Sequence, residues 1–257
     1  MKTGEKIVHA AADTLRAVGV KEKYKSTAAI ILAAGNSSRM QGENKQFIKI
    51  EGKTVLERTL SAFERAECVS EIVIVTKKEY IHDIIDLGES IGSKKLIAVV
   101  PGGENRQESA FCGLLEISDK TEFVAIHDGA RCLVTPEMIE KVCREAYIYG
   151  AATAATMCVD TVKKTEKAKG FIVETLDRNN VWLAQTPQVF GANLYRAAAY
   201  TAKKEKFAAT DDCSMVEKIG YTSIRLVECG RENIKITTPD DVPFAEAILS
   251  VRKRSNK

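Results

Sequence analysis

Two cations, Arg39 and Lys45, follow the run Ile30-Ile31-Leu32-Ala33-Ala34-Gly35-Asn36-Ser37-Ser38, a placement suited to the chemistry of a triphosphate. An apolar strand leads into a turn of small residues there, so backbone N–H groups can approach phosphate oxygens while a guanidinium and an ammonium neutralise moving charge. The same run also suits an ordinary strand-to-helix loop with exposed basic residues. Two other phosphate cradles are excluded by spacing. Phe47 stands where a P-loop needs its first glycine ahead of Gly52-Lys53-Thr54, and Ser37 stands where a dinucleotide fingerprint needs its second.

Further polar groups recur after apolar runs. Leu96 to Val100 leads into Gly102-Gly103, Arg106 and Ser109, and Phe123 to His127 leads into Asp128 and Arg131. Asp128 is the best metal candidate, because a carboxylate beside a triphosphate holds Mg²⁺ directly or through water; an aspartate after a strand also serves as a plain turn residue. Asp211-Asp212 reads as a helix N-cap before Cys213. Arg131, Arg178 and Lys235 suit either a polyanion site or the solvated surface. There is no Gly-x-Ser-x-Gly elbow, and His127 has no evident serine or cysteine partner. If the nucleophile is a substrate phosphate, anionic at neutral pH, no base is needed and the work is alignment and charge neutralisation.

Alternating elements must position these groups. Strands are expected at Ala28 to Leu32, Ile72 to Val75, Leu96 to Val100 and Phe123 to His127, with helices at Thr54 to Ala66, Glu79 to Leu87 and Gln107 to Leu115. That alternation implies an α/β fold with a mostly parallel sheet, covered by helices on both faces, whose ligands sit beyond the strand carboxyl ends. After a helix from Pro136 to Tyr149, Ala151 to Met157 reads as a strand and Thr161 to Thr175 as a protruding hairpin turning near Lys167 to Gly170. A strand at Trp182 to Thr186, a helix at Asn193 to Lys204, a strand at Ser223 to Val227 and a final helix opened by Thr238-Pro239 complete the pattern. Ile7, Ala11, Leu15 and Val18 lie at helical spacing in an N-terminal extension, residues 1–26, that precedes a main unit of residues 27–251 and a basic tail, 252–257.

Composition narrows the class. The 38 basic and 35 acidic residues are interspersed, giving +3 and no nucleic-acid signature. Seven cysteines without a C-x-x-C pair read as reduced, mostly buried thiols, and three scattered histidines offer no zinc spacing. No stretch approaches the ~20 apolar residues of a membrane span. A cytoplasmic protein without a membrane partner is expected.

Together the segments resemble the methylerythritol-phosphate cytidylyltransferase family of the non-mevalonate isoprenoid pathway. The resemblance rests on Ala33-Ala34-Gly35 with Arg39-Met40 and Lys45-Gln46-Phe47, on Gly102-Gly103 with Arg106 and Ser109, and on His127-Asp128 with Ala130-Arg131. It continues through Asp160-Thr161-Val162-Lys163, Thr175-Leu176-Asp177-Arg178, Gln185-Thr186-Pro187-Gln188, Thr210-Asp211 and Asn233-Ile234-Lys235. The family fold is a Rossmann-like, mostly parallel nucleotidyltransferase sheet with a β-hairpin arm, here at about residues 158–176. The implied reaction joins CTP to 2-C-methyl-D-erythritol 4-phosphate, releases pyrophosphate and requires Mg²⁺.

By resemblance, Arg39 and Lys45 stabilise the transition state, while Ala33, Ala34, Gly35, Gly103 and Ser109 line the CTP pocket. Asp128 serves the metal and ribose, and Arg131 the methylerythritol phosphate. Arg178 and Lys235 aim the attacking phosphate, with Thr161, Thr186 and Thr210 as lesser contacts. The arm implies a homodimer in which Thr161 and Arg178 complete the neighbour's site. Departures from the family pattern are Ser37 for glycine, Asn44 for proline, Cys132 for proline and a loop between Arg39 and Lys45 one residue short. A ribitol-phosphate cytidylyltransferase and a non-catalytic nucleotide-binding module remain as alternatives.

Overall fold

The computed structural model describes residues 24–37, 39–40, 44–166, 170–220 and 222–255. The helical spacing at Ile7 to Val18 and the turn at 167–169 lie outside those residues.

Seven strands form the main sheet: β1 (Thr27–Leu32), β4 (Val69–Thr76), β5 (Leu96–Pro101), β6 (Phe123–Asp128), β7 (Ala151–Met157), β10 (Trp182–Gly191) and β11 (Arg225–Glu228). Their order is β11-β7-β10-β6-β1-β4-β5, with β10 antiparallel to both neighbours and every other pairing parallel. Two short ribbons stand apart, β2 (Lys49–Ile50) with β3 (Lys53–Thr54), and β8 (Lys163–Thr165) with β9 (Ile172–Thr175). The second ribbon is the expected hairpin, and its strands are exposed throughout.

Alternation along the strands decides which helices cover which face. Ala29 and Ile31 of β1, with Ile72 and Ile74 of β4, pack against α1 (Val55–Arg65), α2 (Ile81–Ser90) and α4 (Pro136–Tyr149). Ala28 and Ile30, with Val73 and Val75, face α3 (Arg106–Leu114), α5 (Ala192–Glu205) and α6 (Asp212–Ile219). Helix α1 illustrates the local cause. Thr54 and Glu57 form a capping box, and Val55, Leu56, Thr59, Leu60 and Phe63 make one buried stripe.

Helix α7 (Asp241–Ser255) closes a third cluster with Met40, Ile50, Leu133 and Ile236. Its start differs from the expected opening at Thr238-Pro239. The Asp241 carboxylate accepts from the backbone N–H groups of Thr237 and Thr238, so these residues form the entry turn. Its end differs as well, since residues 252–255 continue the helix and Arg252 pairs with Glu232 at 2.9 Å. Strand β10 runs past Thr186 to Gly191, because the register shift between Ala184 and Gln188 absorbs Pro187, whose missing N–H would otherwise break the ladder.

Register brings three strand ends together. Leu32 lies opposite Val75 on one side and Asp128 on the other, and the links continue beyond the strands as Ala33 N–H to Val75 O and Gly129 N–H to Leu32 O.

Candidate active site

A cleft of about 340 Å³ opens at these carboxyl ends, lined by Ala34, Gly35, Lys45, Gly103, Arg106, Ser109, Asp128 and Lys235 among others. Two glycines let its walls meet. A Cβ on Gly102 would stand 2.6 Å from the Ala34 Cβ and 2.7 Å from the Ser109 Oγ, and one on Gly103 would stand 2.4 Å from the Glu108 Cβ. The turn after β5 can therefore close against both the β1 loop and α3 only without side chains at these positions. Asn105 then caps α3 by accepting from the Glu108 N–H, and Ser109 donates back to the Asn105 carbonyl at 2.8 Å.

Lys45 is delivered by a braced loop. Ser37 adopts the left-handed conformation, φ +50°, and its hydroxyl accepts from the Lys45 N–H at 3.3 Å. Asn44 accepts from the Gln46 N–H through its side chain, an Asx turn that restrains the chain where the family pattern has proline. The Gln46 and Ile48 carbonyls bind the first N–H groups of α1, which fixes the loop to a helix. Burial and the Lys235 charge push the Lys45 ammonium below its ordinary range.

Asp128 is the electrostatic centre. Its Oδ1 accepts from Arg106 at 3.1 Å, its Oδ2 from Lys235 at 2.6 Å, and the Arg131 Nε lies 4.0 Å from Oδ2. Burial opposes its charge, but the Arg106 and Lys235 charges more than offset this and hold the carboxyl well below the usual range. Lys235 arrives because Ile236 N–H bonds the Ala130 carbonyl at 2.8 Å, laying its loop beside the end of β6. Underneath, the Thr186 hydroxyl accepts the Asp128 N–H and contacts His127 Nδ1, both at 3.0 Å. Burial pushes His127 down to about 3, so its ring is neutral and serves as a buried support.

Not every expected site residue reaches the cleft. Ala33 is buried in the core with its N–H committed to Val75, and Thr186 lies beneath the site. Arg131 stands behind Asp128 and donates to the Asn233 carbonyl at 2.7 Å. Arg39 is exposed, outside the lining, although its charge bears on Lys45. Thr161, Arg178 and Thr210 are exposed and away from the lining, and Arg178 donates to the Val159 carbonyl at 3.3 Å.

One participant escaped the sequence. Arg106 joins Asp128 to Asp212, and Asp212, which the pattern gave as part of a cap, is buried and paired at 2.6 Å. Asp211 does the capping alone. A signal was present: Arg106 opens α3, where the helix dipole disfavours a cation, so an acid elsewhere had to hold it.

A doubly covered, mostly parallel sheet with a glycine turn, converging cations and one ionised carboxylate at its strand ends defines a nucleotidyltransferase-like α/β protein. Comparison with known proteins agrees. The family model IspD, 2-C-methyl-D-erythritol 4-phosphate cytidylyltransferase, matches residues 27–251, and the chain belongs to this family of enzymes. A curated relative of that name from Pelotomaculum thermopropionicum is 41% identical over 228 residues, covering 88% of this chain and 95% of its own length. One from Geobacillus kaustophilus is 42% identical over 226 residues, covering 87% and 97%. The solved 4-diphosphocytidyl-2C-methyl-D-erythritol synthase of Anaerococcus prevotii aligns with TM-score 0.80 at 32% identity, covering 88% of this chain and 96% of that one. The chain is thus a cytidylyltransferase of the non-mevalonate isoprenoid pathway, and no helix among the described residues is long and apolar enough to cross a membrane.

Proposed function

We propose that the cleft joins CTP to 2-C-methyl-D-erythritol 4-phosphate through Lys45, Lys235 and Arg39, with Asp128 and Arg106 organising the nucleotide side. The observation that carries this reading is the convergence of Lys45, Arg106, Asp128 and Lys235 on one cleft beside the Gly102-Gly103 turn.

A phosphate oxygen of the methylerythritol substrate attacks the α-phosphorus of CTP. The bond to the bridging oxygen breaks, and pyrophosphate leaves with the electron pair. No protein base is required, since the nucleophile is already anionic. Lys45 and Arg39 neutralise charge gathering on the α-phosphoryl group and departing oxygens, the contribution expected of preorganised cations in a partly dry site. Ala34, Gly35, Gly103 and Ser109 line the nucleotide side, where the bared backbone of the two glycine turns suits a base and ribose; Ala33 supports the loop from below. Lys235 and Arg178 aim the attacking phosphate, Arg131 holds its approach side, Thr161 and Thr210 add lesser contacts, and Thr186 acts from beneath through the Asp128 N–H.

Magnesium fits this donor set. Asp128 is a hard, ionised oxygen ligand, each oxygen keeps a second lone pair beside its cation partner, and the described residues hold no cluster of three metal-binding side chains. Magnesium is commonly held by one or two carboxylates plus substrate phosphates. Bound by Asp128 and the triphosphate, it would supply additional charge neutralisation.

A homodimer belongs to the same proposal. Phe171, Ile172 and Val173 on the arm are 72%, 62% and 57% exposed, an apolar strip of the kind a second subunit covers. Clasped arms would carry Thr161 and Arg178 to the neighbouring cleft. The enzyme would then work as a cytoplasmic dimer formed by the unit at residues 27–251, outside which lies the extension 1–26.

Pyrophosphate release from CTP and Mg²⁺, measured with either polyol phosphate, tests the assignment. Release is expected with 2-C-methyl-D-erythritol 4-phosphate. Release with ribitol 5-phosphate alone would overturn the substrate assignment, and release with neither would overturn the transfer.

A further inference from the structure

We infer that Asp212, held by Tyr195, is a positioning residue that acts on the reaction through Arg106. The inference rests on the reading of Asp128 and Arg106 as the nucleotide-side groups of the cleft.

Three helices meet here, of which only α3 reaches the cleft. Asp212 opens α6, Tyr195 lies in the first turn of α5, and Arg106 opens α3. Asp212 is 2% exposed, yet its two oxygens are both occupied: Oδ2 accepts from Arg106 Nη1 at 2.6 Å and Oδ1 from the Tyr195 hydroxyl at 2.6 Å. Tyr195 is fully enclosed and stacks on Phe190 with centroids 5.4 Å apart, so its hydroxyl direction is set by core packing. Arg106 uses its remaining face on the cleft, where Nε donates to Asp128 at 3.1 Å. A chain of direct contacts therefore runs from the core through Tyr195, Asp212 and Arg106 to Asp128.

Asp212 does not cap its helix, because Asp211 accepts the Ser214 N–H, so a cap does not account for the second acid. Nor does burial favour a carboxylate there without a partner. What the pair does is lock a long side chain. A lone arginine samples many rotamers, whereas a guanidinium gripped from behind presents one N–H edge forward at no further entropic cost when substrate binds. Asp128 is then held where it faces the ribose and phosphates, and misplacement of such a group by about 1 Å can cost on the order of 10²-fold in rate.

A double-mutant cycle separates this role from a structural one. Asp212→Asn keeps the shape and removes the charge. In the otherwise unaltered enzyme it is expected to lower kcat/KM on the order of tenfold. In an Arg106→Gln background, which itself loses activity, the same change is expected to cost less than about twofold. Tyr195→Phe, which retains the ring stacking and deletes one donor, should show a smaller loss and the same disappearance in that background, and it stands in should Asp212→Asn fail to fold. Losses that multiply across the two backgrounds, or unchanged kcat/KM in folded Asp212→Asn, overturn the inference. The unaltered enzyme assayed alongside reports separately on the transfer reaction: absence of pyrophosphate release there refutes the reading beneath it.

Discussion

The cleft and the arm hold their functional residues by opposite means. In the cleft Asp128 and Arg106 each have several partners: Asp128 touches Arg106 and Lys235, Arg106 also touches Asp212, and the Asp128 N–H rests on Thr186. On the arm, Thr161 and Arg178 are exposed, the strands β8 and β9 bury nothing, and Phe171 to Val173 face outward. The first region is braced by contacts within its own chain. The second exposes an apolar strip of the kind that marks interaction sites.

The largest expected effect sharpens the description of the cleft. Lys45→Ala should lower kcat by on the order of 10² or more, the loss expected for a transition-state contact. Its unfolding free energy should move by no more than about 0.5 kcal/mol, because the loop is braced by Ser37, Asn44 and α1 rather than by the ammonium. Steady-state kinetics with urea unfolding checks both, and near-normal turnover would remove Lys45 from the mechanism. The next effect breaks the comparison at the arm. The Arg178→Ala and Lys45→Ala variants should each be nearly inactive, and unfolding and refolding them together should restore part of the activity if the protein is a dimer in which Arg178 serves the neighbouring cleft. Refolded mixtures that stay inactive would confine each site to one chain.

A smaller effect probes the support under Asp128. Thr186→Val keeps the strand shape but leaves the Asp128 N–H without an acceptor and His127 Nδ1 without its hydroxyl. A buried group left unsatisfied costs about 1–3 kcal/mol. Urea unfolding should register that loss, and an unchanged midpoint would show that another acceptor takes over.

What could be read from sequence follows the same division. The helix at Pro136–Tyr149 and the strand at Ala151–Met157 fall where apolar period, an N1 proline and a glycine end put them, since these are local signals. The course of β10 past Pro187 was not legible, because tolerance for proline there depends on a register shift against β7. At the site, Lys45 and Asp128 were legible as charged residues after apolar strands, and Lys235 through the family resemblance. Asp212 was not, because two adjacent acids before a helix look alike until one is seen pointing inward at Arg106 from 106 residues away in sequence. For Thr161 and Arg178 the sequence offered a role only through the family resemblance, since both are exposed and no local pattern singles them out.

The mildest prediction concerns protons. Lys45 contributes while charged, and burial together with Lys235 lowers its pKa from the ordinary 10.5. The alkaline limb of kcat/KM, which reports the free enzyme, should therefore fall below the usual lysine range. Bound CTP adds negative charge at the ammonium and favours its protonated form, so the limb in kcat should lie at higher pH than the limb in kcat/KM. The neighbours give the sign a second test. Lys235→Gln removes a like charge and should move the kcat/KM limb upward, whereas Asp128→Asn removes an attractive one and should move it downward, each in the activity that remains. Opposite displacements would tie the limb to Lys45. Displacement of both variants in one direction, or of neither, would assign it to a group outside the cleft and weaken the contrast with the arm.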